Sequence, residues 1–235
     1  MGGSRGKGFE NDTSDYDVSV VLRDDSPEEV TRRYECYAQH ADLEVFPLLL
    51  SDFRNGAALY SETSWARYSF YRVRAVLDKT GEIQPLIDAK GRVPDDQRDT
   101  YLRGVLDAYL NSIYRAFKCH RAGNGLGAKL ESVCGIPYLL GTIFGLEGRH
   151  APYLGYLERE LRVYPLMHFP LSSEHLLKRI REIADSASNG IGVQAVRAQR
   201  ELFAAVEKSC FEAGLGPVYE AWGEGYDFMK RYPDL

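Results

Sequence analysis

The N-terminal sequence places two aspartates, one residue apart, at the start of an apolar run. Asp15 and Asp17 flank Tyr16, and the β-branched stretch 18–22 follows. Successive side chains of an extended strand point to opposite faces, so both carboxylates project from one side. Two such carboxylates repel each other unless a cation lies between them, and Mg²⁺ prefers oxygen ligands and accompanies substrate phosphates. The pattern predicts a strand that carries part of a metal site.

A turn rich in glycine lies about ten residues before the acid pair, over residues 2–7. Backbone N–H groups that no side chain obstructs can cradle phosphate oxygens, and the Ser4 hydroxyl adds a donor. Arg5 and Lys7 have two interpretations of equal weight, contact with phosphate or a mobile charged terminus. The turn therefore supplies the phosphate half of the predicted site.

A third carboxylate is expected from a second strand, at 42–48. Asp42, Glu44 and Phe46 alternate with Leu43 and Val45, so the two acids share one face. Glu44 is the preferred ligand because apolar residues flank it on both sides, as they flank Asp17. The spacing alone leaves Asp42 as an alternative.

Together, the segments Gly3-Ser4, Asp15-Tyr16-Asp17-Val18 and Leu43-Glu44-Val45 resemble the signature of the polymerase-β-type nucleotidyltransferase superfamily. The most similar subset is the bacterial one that contains aminoglycoside and lincosamide nucleotidyltransferases. The resemblance covers roughly the first fifty residues, and the linked set is more specific than a lone glycine turn. Beyond residue 95 it is architectural only, a helical domain after a catalytic one.

The resemblance implies a role for each matched position. Gly3 and Ser4, with Arg5 and Lys7 beside them, would hold the nucleotide phosphates. Asp15, Asp17 and Glu44 would bind two Mg²⁺ ions. The implied reaction transfers a nucleoside monophosphate from an NTP, with ATP expected, to a hydroxyl and releases pyrophosphate. In antibiotic-modifying relatives the general base can come from the second domain, where Glu131 is the candidate, against a solvated helix face as the simpler interpretation.

One feature departs from the family, whose members normally carry a helix and a strand before the turn. This sequence begins at the turn itself. A mis-set start codon, a trimmed chain and a degenerate protein would each explain the difference, and the intact three-acid pattern favours the first. The rival function is a non-catalytic or toxin–antitoxin-type regulatory protein that retains the nucleotidyltransferase fold.

Composition restricts the acceptor and the compartment. The net charge of −5 and the absence of a basic tract argue against a nucleic-acid acceptor, which needs phosphate-neutralising residues. We expect a small hydroxylated acceptor, an antibiotic or a metabolite, bound between two domains. No apolar run is long enough to span a membrane and no signal peptide opens the sequence, so a cytoplasmic protein without membrane partners is expected. The chain could form a homodimer.

Periodicity predicts an α+β protein with a boundary near residues 91–95. Residues 1–93 would form a small mixed-sheet nucleotidyltransferase domain and residues 94–235 a C-terminal helical bundle. In the first domain we expect strands at 16–22, 42–48 and 71–78 and a helix from Ser26 to about His40, with Ser26 as N-cap and Glu29 in a capping box.

The second domain carries helical periodicity throughout. Helices are expected from about residue 102 to the glycines at 123 and 125, and at 126–146, 151–161, 173–187 and 192–213. Pro137 is expected to kink the second of them. Its predicted apolar stripe consists of Leu130, Val133, Leu140 and Phe144.

Overall fold

The computed structural model describes residues 1–35, 37, 40–185 and 193–232. The chain is of the α+β class and forms two compact units, Met1–Val93 and Pro94–Leu235. The first unit holds a small sheet and the second is built from helices. Among the described residues, no helix combines the length and the apolar character needed to cross a membrane.

The sheet of the first unit consists, within the described residues, of two parallel strands, β1 (Tyr16–Leu22) and β2 (Leu43–Leu49). Asp17 lies opposite Glu44 and Ser19 lies opposite Phe46. Parallel strands need a crossover connection, and α2 (Glu28–Glu35) lies within it. β1 matches its predicted range and β2 begins and ends one residue later than predicted. The expected mixed sheet is not seen, because no third strand joins the pair in the described part of the chain.

The two faces of this sheet have different environments. Val45, which alternates with Glu44 and Phe46 along β2, is buried on one face. On the opposite face, Val21 and Leu48 pack against a small apolar cluster (Phe53, Val73 and Ile87). The acidic residues lie toward the N-terminal ends of the strands on this second face. The described residues of this unit also form the helices α1 (Gly3–Gly6), α3 (Leu50–Asn55) and α4 (Ile83–Lys90) and a 3₁₀ segment at Ser64–Phe70.

The helix predicted from Ser26 to His40 is shorter than expected. α2 begins at Glu28 and ends at Glu35, and His40 forms an isolated bridge with Leu43 instead. Residues 36, 38 and 39, which would decide how the chain leaves the helix, lie outside the described residues. Among the described residues of α2 none is fully buried, so little apolar burial stabilises this helix.

The prediction of a strand at 71–78 is wrong. Arg72 has φ +59°, in the left-handed region, so the segment cannot continue as an extended strand. The side-chain amide of Gln84 replaces a neighbouring strand: it accepts from the Ala75 N–H at 2.7 Å and donates to the Val73 carbonyl at 3.2 Å. The alternating Val and Arg pattern therefore reflects a loop with one buried side chain, Val73.

Buried cations hold the loops of the first unit. The Arg67 guanidinium donates to the carbonyls of Ala57, Ala89 and Arg92 at 2.8–3.0 Å. Lys90, also buried, donates to the carbonyls of Arg54 and Gly56, and burial followed by the charge of Arg67 lowers its pKa. Hydrogen bonds to backbone carbonyls compensate the desolvation of these charges.

The described residues of the second unit form seven α-helices: α5 (Arg98–Arg121), α6 (Gly125–Leu146), α7 (Leu157–Val163), α8 (Ser173–Ala184), α9 (Val193–Glu212), α10 (Gly216–Glu220) and α11 (Glu224–Arg231). Where a helix was predicted at 151–161, a 3₁₀ turn at Leu154–Tyr156 is followed by α7, which begins later than predicted and ends at Val163. α10 and α11 were not expected. The predicted ends near 187 and 192 lie outside the described residues.

The apolar stripe predicted for α6 is wrong in its first half. Leu140 and Phe144 are fully buried, but Leu130 and Val133 are exposed. The buried positions there are small, and a Cβ on Gly135 would lie 3.0 Å from the Ser112 side chain of α5. The first half of α6 therefore packs through backbone contact with α5, a mode that hydrophobic periodicity does not reveal. Pro137 lies inside this helix, which continues past it to Leu146.

Candidate metal centre

Three carboxylates meet on the face of the sheet that also carries Val21 and Leu48. Asp15, Asp17 and Glu44 each offer an oxygen, and these three atoms all lie within 4.8 Å of one another. The strand register produces the meeting, because Asp17 and Glu44 are direct partners on parallel strands and Asp15 shares the face of Asp17. Asp15 and Asp17 are half-buried and Glu44 is exposed. An oxygen-seeking divalent cation fits this donor set.

Asp42, the alternative third ligand, is exposed and does not belong to this group of three. Its carbonyl accepts the Tyr16 N–H at 3.0 Å, just before β2 begins. The geometry therefore distinguishes two acids that the sequence spacing left equivalent. That the group binds a metal stays a prediction.

The glycine turn lies against one of the acids. A Cβ built on Gly3 would lie 1.7 Å from Oδ2 of Asp17, and Gly3 has φ +56°. Both observations restrict this position to glycine, because an L side chain would be strained and would also collide with the carboxylate. The Gly2 N–H donates to the Asp17 carbonyl at 2.7 Å. The turn is thus fixed to the acid-bearing strand by its own backbone.

Hydrogen bonds give the order of these elements across the sheet. In a parallel pair, the N–H and C=O groups of one residue point to the same neighbour, and those of the next residue point the other way. The Tyr16 N–H bonds to the Asp42 carbonyl next to β2, so the Asp17 carbonyl points away from β2, and there it meets Gly2. The order is turn, β1, β2.

The two cations of the turn are used within the fold. Arg5 donates through Nε and Nη2 to the Ser14 carbonyl and through Nε to that of Asp15, and its guanidinium lies 4.1 Å from the Tyr16 ring centroid. Lys7 donates to the carbonyls of Tyr68 and Tyr71 at 2.8 and 2.7 Å. The structure directs both charges to backbone carbonyls, where each ties the turn to a loop.

Ser4 is buried within the turn. Its carbonyl accepts the N–H groups of Lys7 and Phe9 at 3.2 and 2.7 Å. These bonds close the turn. Ser4 therefore lies, with the rest of the turn, on the side of β1 away from β2. The predicted phosphate role of Ser4 stays a prediction.

Electrostatics at the site favour a bound cation. Burial raises the pKa of Asp17 above its ordinary value, and the neighbouring charge of Asp15 raises it further. A raised pKa means that the ionised carboxylate is disfavoured where the fold holds it. The positive N-terminus acts in the opposite direction, and a cation between the carboxylates would reduce their repulsion further.

Glu131, the candidate base, belongs to the second unit. Its carboxylate pairs with Arg115 of α5 at 2.6 Å, and it lines a small cavity beside Ser132 and Gln199. This ion pair holds the Glu131 carboxylate against α5. Its role as a general base stays a prediction.

No sequence pattern indicated the residues whose backbone carbonyls hold Arg5 and Lys7 of the turn in place. Tyr68 and Tyr71 contribute through their backbone carbonyls, and Ser14 does the same for Arg5. A carbonyl acceptor carries no residue-type signal, so no motif could have indicated these contacts.

No protein-family model matches this chain, and comparisons with curated proteins and with solved structures also find no match.

Proposed function

We propose that the protein transfers a nucleoside monophosphate from an NTP to a hydroxyl of a small acceptor, in a reaction that depends on Mg²⁺ and releases pyrophosphate. The observation that carries the proposal is the convergence of Asp15, Asp17 and Glu44 next to a glycine turn. The resemblance of these segments to polymerase-β-type nucleotidyltransferases supports it, as does the small sheet followed by helices.

The acids and the turn have complementary tasks in this proposal. Asp15, Asp17 and Glu44 would hold two Mg²⁺ ions, which when bound would stabilise the attacking and leaving oxygens at the α-phosphate. Gly3 leaves the space in which Asp17 lies, and the fixed turn would orient the terminal phosphates through backbone N–H groups. Arg5 positions the residues that lead into β1, through the carbonyls of Ser14 and Asp15.

The acceptor class follows from charge. Nucleic-acid binding draws most of its affinity from Lys and Arg contacts with phosphates, and this chain has a net charge of −5. In the turn, Arg5 and Lys7 already donate to carbonyls. A small hydroxylated molecule, neutral or cationic, is the acceptor that this charge pattern favours.

Calorimetric titration with Mg–ATP tests the proposal. The wild-type protein should bind Mg–ATP, and Asp17→Asn and Glu44→Gln should each bind it at least about tenfold more weakly, since each removes a carboxylate from the group. Asp12→Asn is the matched control, because Asp12 is an exposed aspartate outside the group. Radiolabelled ATP with a panel of aminoglycosides, lincosamides, tRNA and proteins then identifies the acceptor.

The outcomes separate the alternatives. Equal binding by the wild type and Asp17→Asn, without pyrophosphate release, would contradict the enzymatic function. Mg–ATP binding that depends on Asp17 but produces no pyrophosphate with any acceptor would favour the regulatory alternative. Labelling confined to tRNA or protein would contradict the acceptor class and leave the metal site intact.

A further inference from the structure

Helix α6 carries apolar residues on two faces of its first half. Of the 22 residues of this helix, Lys129 and Glu131 are the only charged ones. One face is buried through small residues, Ala128 and Gly135 among them, and Gly135 lies against α5. A helix with apolar residues around its circumference is normally buried on every side. The second face should therefore be covered as well, and the described residues of this chain leave it exposed.

The second face is a row of apolar residues, here called the exposed stripe: Leu126, Leu130, Val133 and Pro137. At 100° per residue these four positions fall within about 60° of the helix circumference, roughly opposite the buried small residues. Leu126 exposes 70% of its surface, Leu130 55% and Val133 37%, and Pro137 is also exposed. Single exposed apolar side chains are common, but a continuous row without a charge marks an interaction surface.

We propose that the exposed stripe is the interface of a homodimer, in which α6 packs antiparallel against α6 of a second copy. The intervals along the stripe are four, three and four residues, which are the same in both directions. A two-fold axis midway between Leu130 and Val133 therefore places each of these residues against the other in the second copy. The same axis places Leu126 against Pro137. Each apolar residue thus meets an apolar residue, as an isologous interface requires.

The area of this surface agrees with a weak dimer. Cys134 and the 43% exposed Tyr138 lie beside the stripe. At about 200 Å² for a large, fully exposed side chain, the six residues together expose about 500 Å². Two copies would bury about 1,000 Å² in total, at the lower end for a specific interface. We therefore expect a dissociation constant in the micromolar range, and a monomer with an exposed Leu130 at lower concentrations. The inference goes beyond the proposed function, since the stripe belongs to the second unit and the three acids to the first.

Sedimentation equilibrium across the micromolar range tests the dimer. Leu130→Glu should raise the dissociation constant of the wild type by at least about tenfold, because two carboxylates would be buried without partners at the centre of the interface. Leu154→Glu is the matched control, since Leu154 of the second unit is 60% exposed and lies outside α6. Circular dichroism verifies the fold of each variant, and Val133→Lys, with the same expected effect, replaces Leu130→Glu if that variant does not fold.

Cross-linking tests the antiparallel register. Benzoylphenylalanine at position 126, in a mixture of isotopically labelled and unlabelled copies, should cross-link to the segment around Pro137 of the other copy, as identified by mass spectrometry. A cross-link to any other segment would contradict the proposed pairing. The dimer itself is overturned if the wild type stays monomeric, if Leu130→Glu and Val133→Lys dimerise like the wild type, or if Leu154→Glu weakens the dimer equally. None of these results depends on binding of Mg–ATP, so failure of the inference and failure of the proposed function are distinguishable.

Discussion

Each of the two compact units is stabilised internally by a different kind of interaction. The second unit has a large apolar core, in which Leu106, Leu140 and Phe144 are fully buried. The buried cluster of the first unit is small (Phe53, Val73 and Ile87), and its loops are fixed by Arg67 and Lys90 on backbone carbonyls. The unit with the candidate chemistry therefore depends more on polar contacts, and the other on hydrophobic burial.

This difference has a consequence for how each unit responds to conditions. Apolar burial is insensitive to pH, whereas contacts between charges and carbonyls or carboxylates depend on protonation and on bound ions. The chain carries Trp65 in the first unit and Trp222 in the second. Trp65→Phe and Trp222→Phe backgrounds therefore allow fluorescence to follow the urea unfolding of each unit separately.

The largest effect is expected in the core of the second unit. Leu140→Ala should lower the free energy of unfolding of that unit by about 2–5 kcal/mol, because it opens a cavity at a fully buried position. Leu130→Ala, on the same helix but 55% exposed, should cost less than about 1 kcal/mol. Equal costs would mean that both leucines belong to one apolar stripe, as their periodicity predicts.

A somewhat smaller loss is expected when the first unit loses a buried cation. Arg67→Met should lower its free energy of unfolding by about 2–4 kcal/mol, because three carbonyls lose their donor. The Trp222 signal of the second unit should not change. Arg54→Met is the control, since its ion pair with Glu82 is on the surface and should contribute less than about 1 kcal/mol.

Comparison of Gly3→Ala with Gly8→Ala should distinguish the cost of backbone strain from the effect of a steric collision with the Asp17 carboxylate. Gly3 and Gly8 both have positive φ, but a Cβ on Gly8 has no atom within 4 Å, whereas one on Gly3 meets the Asp17 carboxylate. Each substitution should cost about 1–2 kcal/mol in backbone strain. Only Gly3→Ala should also weaken Mg²⁺ binding in titration calorimetry, by at least about tenfold. Equal loss of Mg²⁺ binding in the two variants would contradict the contact between turn and acid.

The smallest effect concerns the pH dependence of the first unit. The pKa of Asp17 is raised in the folded protein, so stability should fall as pH rises through that pKa. At neutral pH with a chelator present, Asp17→Asn should stabilise this unit by less than about 1 kcal/mol, since solvent screens a half-exposed carboxylate. The Trp65 signal in thermal melts across pH measures it. Added Mg²⁺ should stabilise the wild type and not the variant, and a further stabilisation of the variant by Mg²⁺ would contradict the site.

Sequence predicted the acid-bearing strands well because their signals are local. Asp15 and Asp17 before a β-branched run, and Glu44 between apolar residues, specify strand and face by alternation alone. The convergence of these three carboxylates also follows, once the strands are parallel and in the observed register. That they bind metal and perform nucleotidyl transfer stays a prediction.

The errors arose where a side chain replaces backbone pairing or where small residues pack. Residues 71–78 alternate like a strand, but Gln84 takes the backbone groups that a neighbour would use. Leu130 and Val133 are spaced like a core stripe, but Gly135 brings α6 close to α5 on another face. Both outcomes depend on distant contacts, which hydrophobic periodicity does not report.

The hydrogen bond from Gly2 to the Asp17 carbonyl has a consequence for self-association. It occupies a backbone group on the edge of β1 that faces away from β2, where an added strand would otherwise pair. Unpaired edges are templates on which identical chains can assemble into extended sheets. The glycine turn therefore occupies, at the strand that carries Asp15 and Asp17, a backbone acceptor that a strand of another chain would need in order to extend the sheet.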